Sequence, residues 1–135
     1  MIIVDTNIIS YLFIKGENTE TAKTLLRSDP KWSAPILWKS EFRNVLALYL
    51  RKGFFSIDQV FGILHEAELF MQNNEYEVNS DDVINLVARS NCSAYDCEFI
   101  ALAQEFGSNL ITLDQKLIKT FPNSTVSLHK IVESL

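Results

Sequence analysis

Few of the residues that usually betray a specialised site are present in this 135-residue chain. Its two cysteines, Cys92 and Cys97, do not form a C-x-x-C pair, and there is no cysteine framework. Disulfide scaffolds are thereby excluded, and a reduced, intracellular setting is expected. The two histidines, His65 and His129, are isolated, which removes zinc sites built from His and Cys. Four scattered glycines leave no P-loop and no G-x-G-x-x-G turn for a nucleotide. No apolar run reaches the ~18 residues of a membrane span. The first apolar run stops at Asp5 with no basic segment before it, so a signal peptide is not expected either. Linkers, low-complexity stretches and internal repeats are also missing. The expectation is a cytoplasmic protein of one domain, residues 1–135, large enough to bury a core without disulfides or a structural metal.

Positive charge is scarce as well. Twelve Lys and Arg against seventeen Asp and Glu give a net charge of −5. That balance disfavours a partner held by its phosphates, unless bound divalent ions offset a clustered acidic site. Local basic groups do exist, at Lys39, Arg43, Arg51-Lys52, and Lys116 with Lys119.

What the chain has is alternation. Strands are expected at Ile2–Asp5, Trp32–Ile36, Tyr76–Asn79, Asn109–Leu113 and Thr125–Leu128. The first and fourth are near-continuous apolar runs, as in strands covered on both faces of a parallel sheet. Between them the spacing predicts helices at Asn7–Phe13, Thr19–Ser28, Lys39–Lys52, Ser56 to about Asn73, Asp81–Arg89, Ala94–Phe106 and Asp114–Phe121, with a last turn near His129. Gly53 and Gly107 offer left-handed stops, and Ser56 with Gln59 forms a capping box. On the helix after Ser56, Val60, Phe61 and Leu64 are expected in the core. The fold class is α/β, a three-layer arrangement around a five-stranded parallel sheet.

Four acids sit where strand or loop gives way to helix: Asp5, Glu41, Asp96 and Asp114. Each has an ordinary explanation. Asp5 and Asp114 suit helix N-caps, Glu41 complements a helix dipole, and Ser93 with Asp96 scans as a capping box with a short acid. Two of them, Asp5 and Asp114, close apolar strands, and ligands of parallel sheets gather beyond strand carboxyl ends. Converging carboxylates repel and raise one another's pKa unless a cation joins them, and hard cations such as Mg²⁺ or Mn²⁺ prefer such oxygen donors. Glu98 lies about 200° round the helix from Asp96, so the two are not expected to share an ion, and Glu98 is expected in solvent. Asp81-Asp82 complements a helix dipole.

These residues carry a resemblance. Ile3-Val4-Asp5-Thr6-Asn7, Ser40-Glu41-Phe42-Arg43-Asn44-Val45-Leu46, Ala94-Tyr95-Asp96 with Ala101-Leu102-Ala103, and Leu113-Asp114-Gln115-Lys116-Leu117 follow in order over nearly the full length. Together they resemble the PIN domain, and within it the VapC-type toxin ribonucleases of toxin–antitoxin pairs. The resemblance implies metal binding and catalysis by Asp5, Glu41, Asp96 and Asp114, with one or two Mg²⁺ or Mn²⁺ ions. Expected chemistry is endoribonucleolytic hydrolysis of RNA by an activated water, leaving 5′-phosphate and 3′-hydroxyl ends. Thr6 and Thr112 are candidates to orient the acids. A homodimer and a small antitoxin covering the site are implied as partners. Cys97 departs from the family's usual small residue after Asp96. The alternative is a catalytically silent module of the same fold that acts by docking a protein partner. A phosphatase would need a second acid in a D-x-D pair, which Asp5-Thr6-Asn7 lacks.

Overall fold

Ile2–Val4 and Leu110–Thr112 form β1 and β4 of a computed structural model that describes all 135 residues. With β2 (Trp32–Pro35), β3 (Glu75–Tyr76) and β5 (Thr125–Ser127) they make one sheet in the order β3-β2-β1-β4-β5, parallel throughout. The two apolar runs are the two central strands, and every residue of β4 is buried. Ile3 pairs with Ser33 on one side and Leu110 on the other. The chain leaves β1 towards β2 and β3, then returns to β4 on the opposite flank, so the strand order reverses between β1 and β4. That is where a parallel sheet opens a crevice at its carboxyl edge.

Helices α1 (Thr6–Phe13), α2 (Thr19–Ser28), α3 (Leu37–Arg51) and α4 (Ile57–Met71) form one contiguous group. A second group is α5 (Ser80–Ala88) packed on α6 (Ala94–Glu105), and α6 runs over β2, β1 and β4. Cys97 and five consecutive residues from Phe99 to Ala103 are all buried, so α6 is covered nearly all round rather than striped. Short helices α7 (Gln115–Thr120) and α8 (Leu128–Glu133) flank β5. A cluster of 28 buried apolar residues holds these elements together. Its largest members, Trp32, Trp38, Phe42 and Phe99, are fully buried, each worth about 2–3 kcal/mol of transfer free energy. Both indoles are satisfied: Trp32 Nε1 donates to the Asp29 carbonyl at 3.0 Å and Trp38 Nε1 to Glu75 Oε1 at 2.7 Å.

Several boundaries shift from the sequence expectation. Helix α3 begins at Leu37, two residues before Lys39, because its cap, Ile36, already has helical dihedrals and supplies no side-chain bond. Of the expected strand Tyr76–Asn79 only Tyr76 is in β3, which begins one residue earlier at Glu75, and the Asn79 side chain instead caps α5 by accepting from Asp82 N at 3.1 Å. Ser127 likewise ends β5 and caps α8. Gly53 and Gly107 take the left-handed conformation (φ 77° and 61°) just past α3 and α6, as expected. Val60 is buried and Leu64 half-buried, but Phe61 is exposed, contrary to the core assignment. No helix is long and apolar enough to cross a membrane.

Ser33, at the middle of β2, is fully buried and its hydroxyl has no hydrogen-bond partner. An unpaired buried hydroxyl costs about 1–3 kcal/mol. Ser33→Ala will therefore raise the chemical-denaturation stability by about 1 kcal/mol, the remainder being lost to the small void. A drop in the midpoint would show that the hydroxyl has a partner.

Candidate active site

At the carboxyl ends of β1 and β4 a cavity of about 420 Å³ is lined by Asp5, Glu41, Asp96 and Asp114 together with Thr6, Asn7, Ser40 and Asn44. The four acids come from four places in the chain. Asp5 follows β1 directly, and its backbone N–H donates to the Ile111 carbonyl at 2.9 Å, extending the central ladder past the strand end. Asp114 lies two residues beyond β4. Glu41 is the fifth residue of α3, a full turn inside the helix, so the dipole of the helix start does not account for it. Asp96 sits in the first turn of α6.

The capping roles are real and incomplete. Asp5 Oδ1 accepts from Thr6 N at 2.8 Å. Asp114 Oδ1 accepts from Lys116 N at 2.9 Å and Leu117 N at 3.2 Å. Neither cap uses the second carboxylate oxygen. The Ser93 hydroxyl accepts from Asp96 N at 3.0 Å, but the reciprocal bond of a capping box is not made. The Asp96 side chain is too short to return it, which leaves both its oxygens to the cavity.

Two buried threonines align the acids. Thr112 Oγ1 donates to Asp5 Oδ2 at 2.7 Å and accepts from Asp114 N at 3.0 Å, so one hydroxyl ties the ends of both central strands. Thr6 Oγ1 donates to Glu41 Oε1 at 2.6 Å. Thr112 was expected beside the Asp114 carboxylate, but its hydroxyl holds the Asp5 carboxylate instead and meets Asp114 only through the backbone.

No base neutralises this group, since the ion pairs of the chain lie elsewhere, at Asp29, Glu20, Glu68 and Glu75. Lys116, the nearest ammonium, donates to the Asn91 carbonyl at 2.8 Å. Electrostatic consequences follow. Burial pushes the Asp5 carboxyl up to about 6, against hydrogen bonds from Thr112 and Thr6 that favour the charged form, and the charges of Glu41 and Asp96 push the same way as burial. Glu41 is raised by burial, then by Asp96 and Glu98, with the Thr6 hydroxyl opposing. Asp96 is raised by burial and by Asp114, and partly relieved by Ser93 and Lys116. Like charges held in a partly desolvated cavity call for a cation.

A hard divalent ion fits the donor chemistry. All four acids offer oxygen, at least one oxygen of each is free of capping bonds, and the cavity has room for retained waters. As the side chains stand, no three of them converge tightly enough to ligate one ion, so binding would draw them together.

Asn7, Ser40 and Asn44 also line the cavity and were not singled out from the sequence as site residues. Asn44 had a legible signal, lying three positions after Glu41 and hence on the same helical face. Glu98 departs from expectation too. It is half-buried rather than solvated, burial raises its pKa, and its charge reaches Glu41.

Comparison with known proteins matches residues 2–121 to the PIN domain model. The chain belongs to the PIN domain family. A curated relative, Ribonuclease VapC3 of Pyrobaculum aerophilum, is 27% identical over 124 residues, covering 90% of this chain and 95% of that protein. Among solved structures, PAE2754 from Pyrobaculum aerophilum superposes with a TM-score of 0.77 at 16% identity, over 98% of this PIN domain and 86% of its counterpart. A toxin–antitoxin complex from Klebsiella pneumoniae gives 0.69 at 18% identity, covering 95% and 98% of the two chains. FitAcB from Neisseria gonorrhoeae gives 0.70 at 17%, covering 94% and 96%. These structural likenesses establish a shared fold, the parallel five-stranded sheet flanked by helices.

Proposed function

We propose that this PIN domain is a metal-dependent endoribonuclease, the toxin of a toxin–antitoxin pair, with Asp5, Glu41, Asp96 and Asp114 as its metal-binding and catalytic residues. The observation that carries the reading is the un-neutralised group of four carboxylates lining one cavity at the reversal point of the sheet. The ribonuclease name of a relative that matches nearly end to end supports the RNA substrate. The structural neighbour from Klebsiella pneumoniae, a toxin–antitoxin complex, supports a small antitoxin partner. A homodimer and a cytoplasmic setting complete the proposal.

Bound by these acids, Mg²⁺ or Mn²⁺ supplies positive charge for the phosphate oxygens and makes water a stronger nucleophile near neutral pH. The chain's residues do the rest. The Asp5 carboxylate is held by Thr112 and that of Glu41 by Thr6, so two of the acids are oriented before any ligand arrives. Asn7, Ser40 and Asn44 offer uncharged donors at the same wall, where a phosphodiester oxygen can be hydrogen-bonded without adding charge. Attack by water leaves a 5′-phosphate and a 3′-hydroxyl, and no histidine is required.

A short single-stranded RNA incubated with the protein will be cut in Mg²⁺ or Mn²⁺ and left intact in EDTA, with end-group analysis giving 5′-phosphate products. The same ions will raise the melting temperature, because a ligand bound only by the folded state stabilises it by about 2.7 kcal/mol at a hundredfold excess over Kd. No melting shift and no cleavage would leave the docking module as the better account.

A further inference from the structure

Beside the carboxylate cavity, further towards the edge strand β3, lies a second cavity of about 350 Å³, lined by Ile36, Tyr76, Val78, Val83, Ile84 and Glu98, with Glu77 and Ser80 at its margin. It opens at the same carboxyl edge of the sheet, beyond the ends of β2 and β3. Two segments contribute residues to both cavities. Ile36 lines one and Leu37 the other, while on α6 Asp96 faces the acid site and Glu98 its neighbour. A strand of nucleic acid with its phosphate among the four acids thus meets a second hollow at the same edge of the sheet.

The lining of that hollow is unusual. Ile36 and Ile84 remain 48% and 60% exposed, and with Val78 they present apolar surface to solvent. Glu98 supplies a carboxylate within it that no protein donor or cation engages. A phosphate is repelled by Glu77 and Glu98. A flat, uncharged ring with N–H donors on its edge meets both features.

We propose that this cavity is a nucleobase subsite that selects guanine next to the cleaved bond, with Glu98 accepting from the Watson–Crick edge of the base. The proposal rests on the ribonuclease reading of the adjoining site. Guanine alone among the four bases offers two neighbouring donors on that edge, N1–H and the 2-amino group, matching the two oxygens of a carboxylate. Adenine and cytosine place a ring acceptor beside their amino group, and uracil flanks its one N–H with carbonyls, so each turns a lone pair towards a carboxylate oxygen. Ile36, Val78 and Ile84 pack on the ring faces, as apolar and aromatic side chains do with splayed-out bases.

The test uses neutral nucleosides first, since they need neither metal nor cleavage. Guanosine titrated into isotopically labelled full-length protein should shift the amide signals of Val78, Ile84 and Glu98 saturably. Inosine, which lacks only the 2-amino group, should bind roughly tenfold more weakly, and Glu98→Gln should lose the preference. In parallel, RNAs carrying one guanosine, inosine or adenosine are cut in Mn²⁺, and the rate beside guanosine relative to that beside adenosine should fall roughly tenfold in Glu98→Gln, a ratio in which any effect of the lost charge on Glu41 cancels. Selective guanosine binding without any Mn²⁺-dependent cleavage would support the subsite and overturn the nuclease reading. EDTA-sensitive cleavage with no response of these amides to guanosine would overturn the subsite and leave the nuclease standing. An interface between copies would overturn it too, seen as Ile84→Arg splitting a dimer while guanosine moves nothing.

Discussion

Asp96→Asn will lower the rate of RNA cleavage by about 10²- to 10³-fold or more, the range for losing one preorganised electrostatic contact to a transition state. The substitution keeps the size and one oxygen but removes the charge. Asp96 is the most informative of the four positions because its carboxylate takes no part in the fold. Its backbone N–H donates to Ser93, which caps α6 whatever the side chain, and the reciprocal capping bond is absent. Burial and the charge of Asp114 already disfavour its ionised form, so neutralising it relieves repulsion instead of creating it. In EDTA the variant will melt no lower than the parent, and with metal the loss of activity will appear in kcat at saturating RNA. Asp81→Asn is the matched control, an exposed acid in the first turn of α5 and outside the cavity, and its rate will be unchanged. Cleavage by Asp96→Asn at the parental rate would sink the assignment of catalysis to this cavity.

The parts legible in the sequence were those where one local rule suffices. β1 and β4 read correctly because strands buried on both faces need unbroken apolar runs, and α4 because Ser56 and Gln59 state their capping box outright. The start of α3 was hidden, since Ile36 caps it through backbone shape alone, and the displaced boundary set Glu41 too near the helix end. β3 was overread because Val78 and Asn79 look like strand continuation until the Asn79 side chain is seen holding α5. Of the residues lining the candidate site, Asp5 and Asp114 stood out by their position at strand ends, whereas Glu41 and Asp96 were singled out by the family resemblance. What escaped depended on packing between distant segments. Phe61 fits a helical stripe yet faces solvent, stacked on His65 of its own helix, and Glu98 is half-buried beside residues of the β2–α3 turn and the start of α5. Helical angle separated Glu98 correctly from Asp96, but could not show that a second cavity waits on its side.

Asp5→Asn will stabilise the metal-free protein at pH 8, although it removes a residue proposed as essential. Asp5 has a folded-state pKa of about 6 against an ordinary value of 3.8. A carboxyl raised on folding binds its proton more tightly in the native state, so stability declines as pH climbs from about 4 to about 6 and stays low above that. The shift of about two pKa units corresponds to a ceiling on the order of 3 kcal/mol, or roughly 5–10 °C in melting temperature for a chain of this size. Asparagine escapes that penalty. Its oxygen can still accept from Thr6 N, but its amide cannot accept the Thr112 hydroxyl proton that Asp5 Oδ2 takes, so the loss of that bond sets part of the gain aside. In EDTA the variant should therefore out-melt the parent at pH 8, and the difference should shrink as pH falls through about 6 and vanish only below 3.8, where the parent's carboxyl is protonated in both states. Glu41 and Asp96, raised in the same direction, make the metal-free parent itself more stable near pH 5 than at pH 8. Saturating Mn²⁺ should reverse the order, because the parent gains binding free energy that the variant has largely lost. If instead the parent is the more stable in EDTA at pH 8, Thr112 and Thr6 satisfy its charge by themselves. Asp5 would then be a helix cap, with no unmet demand for a cation.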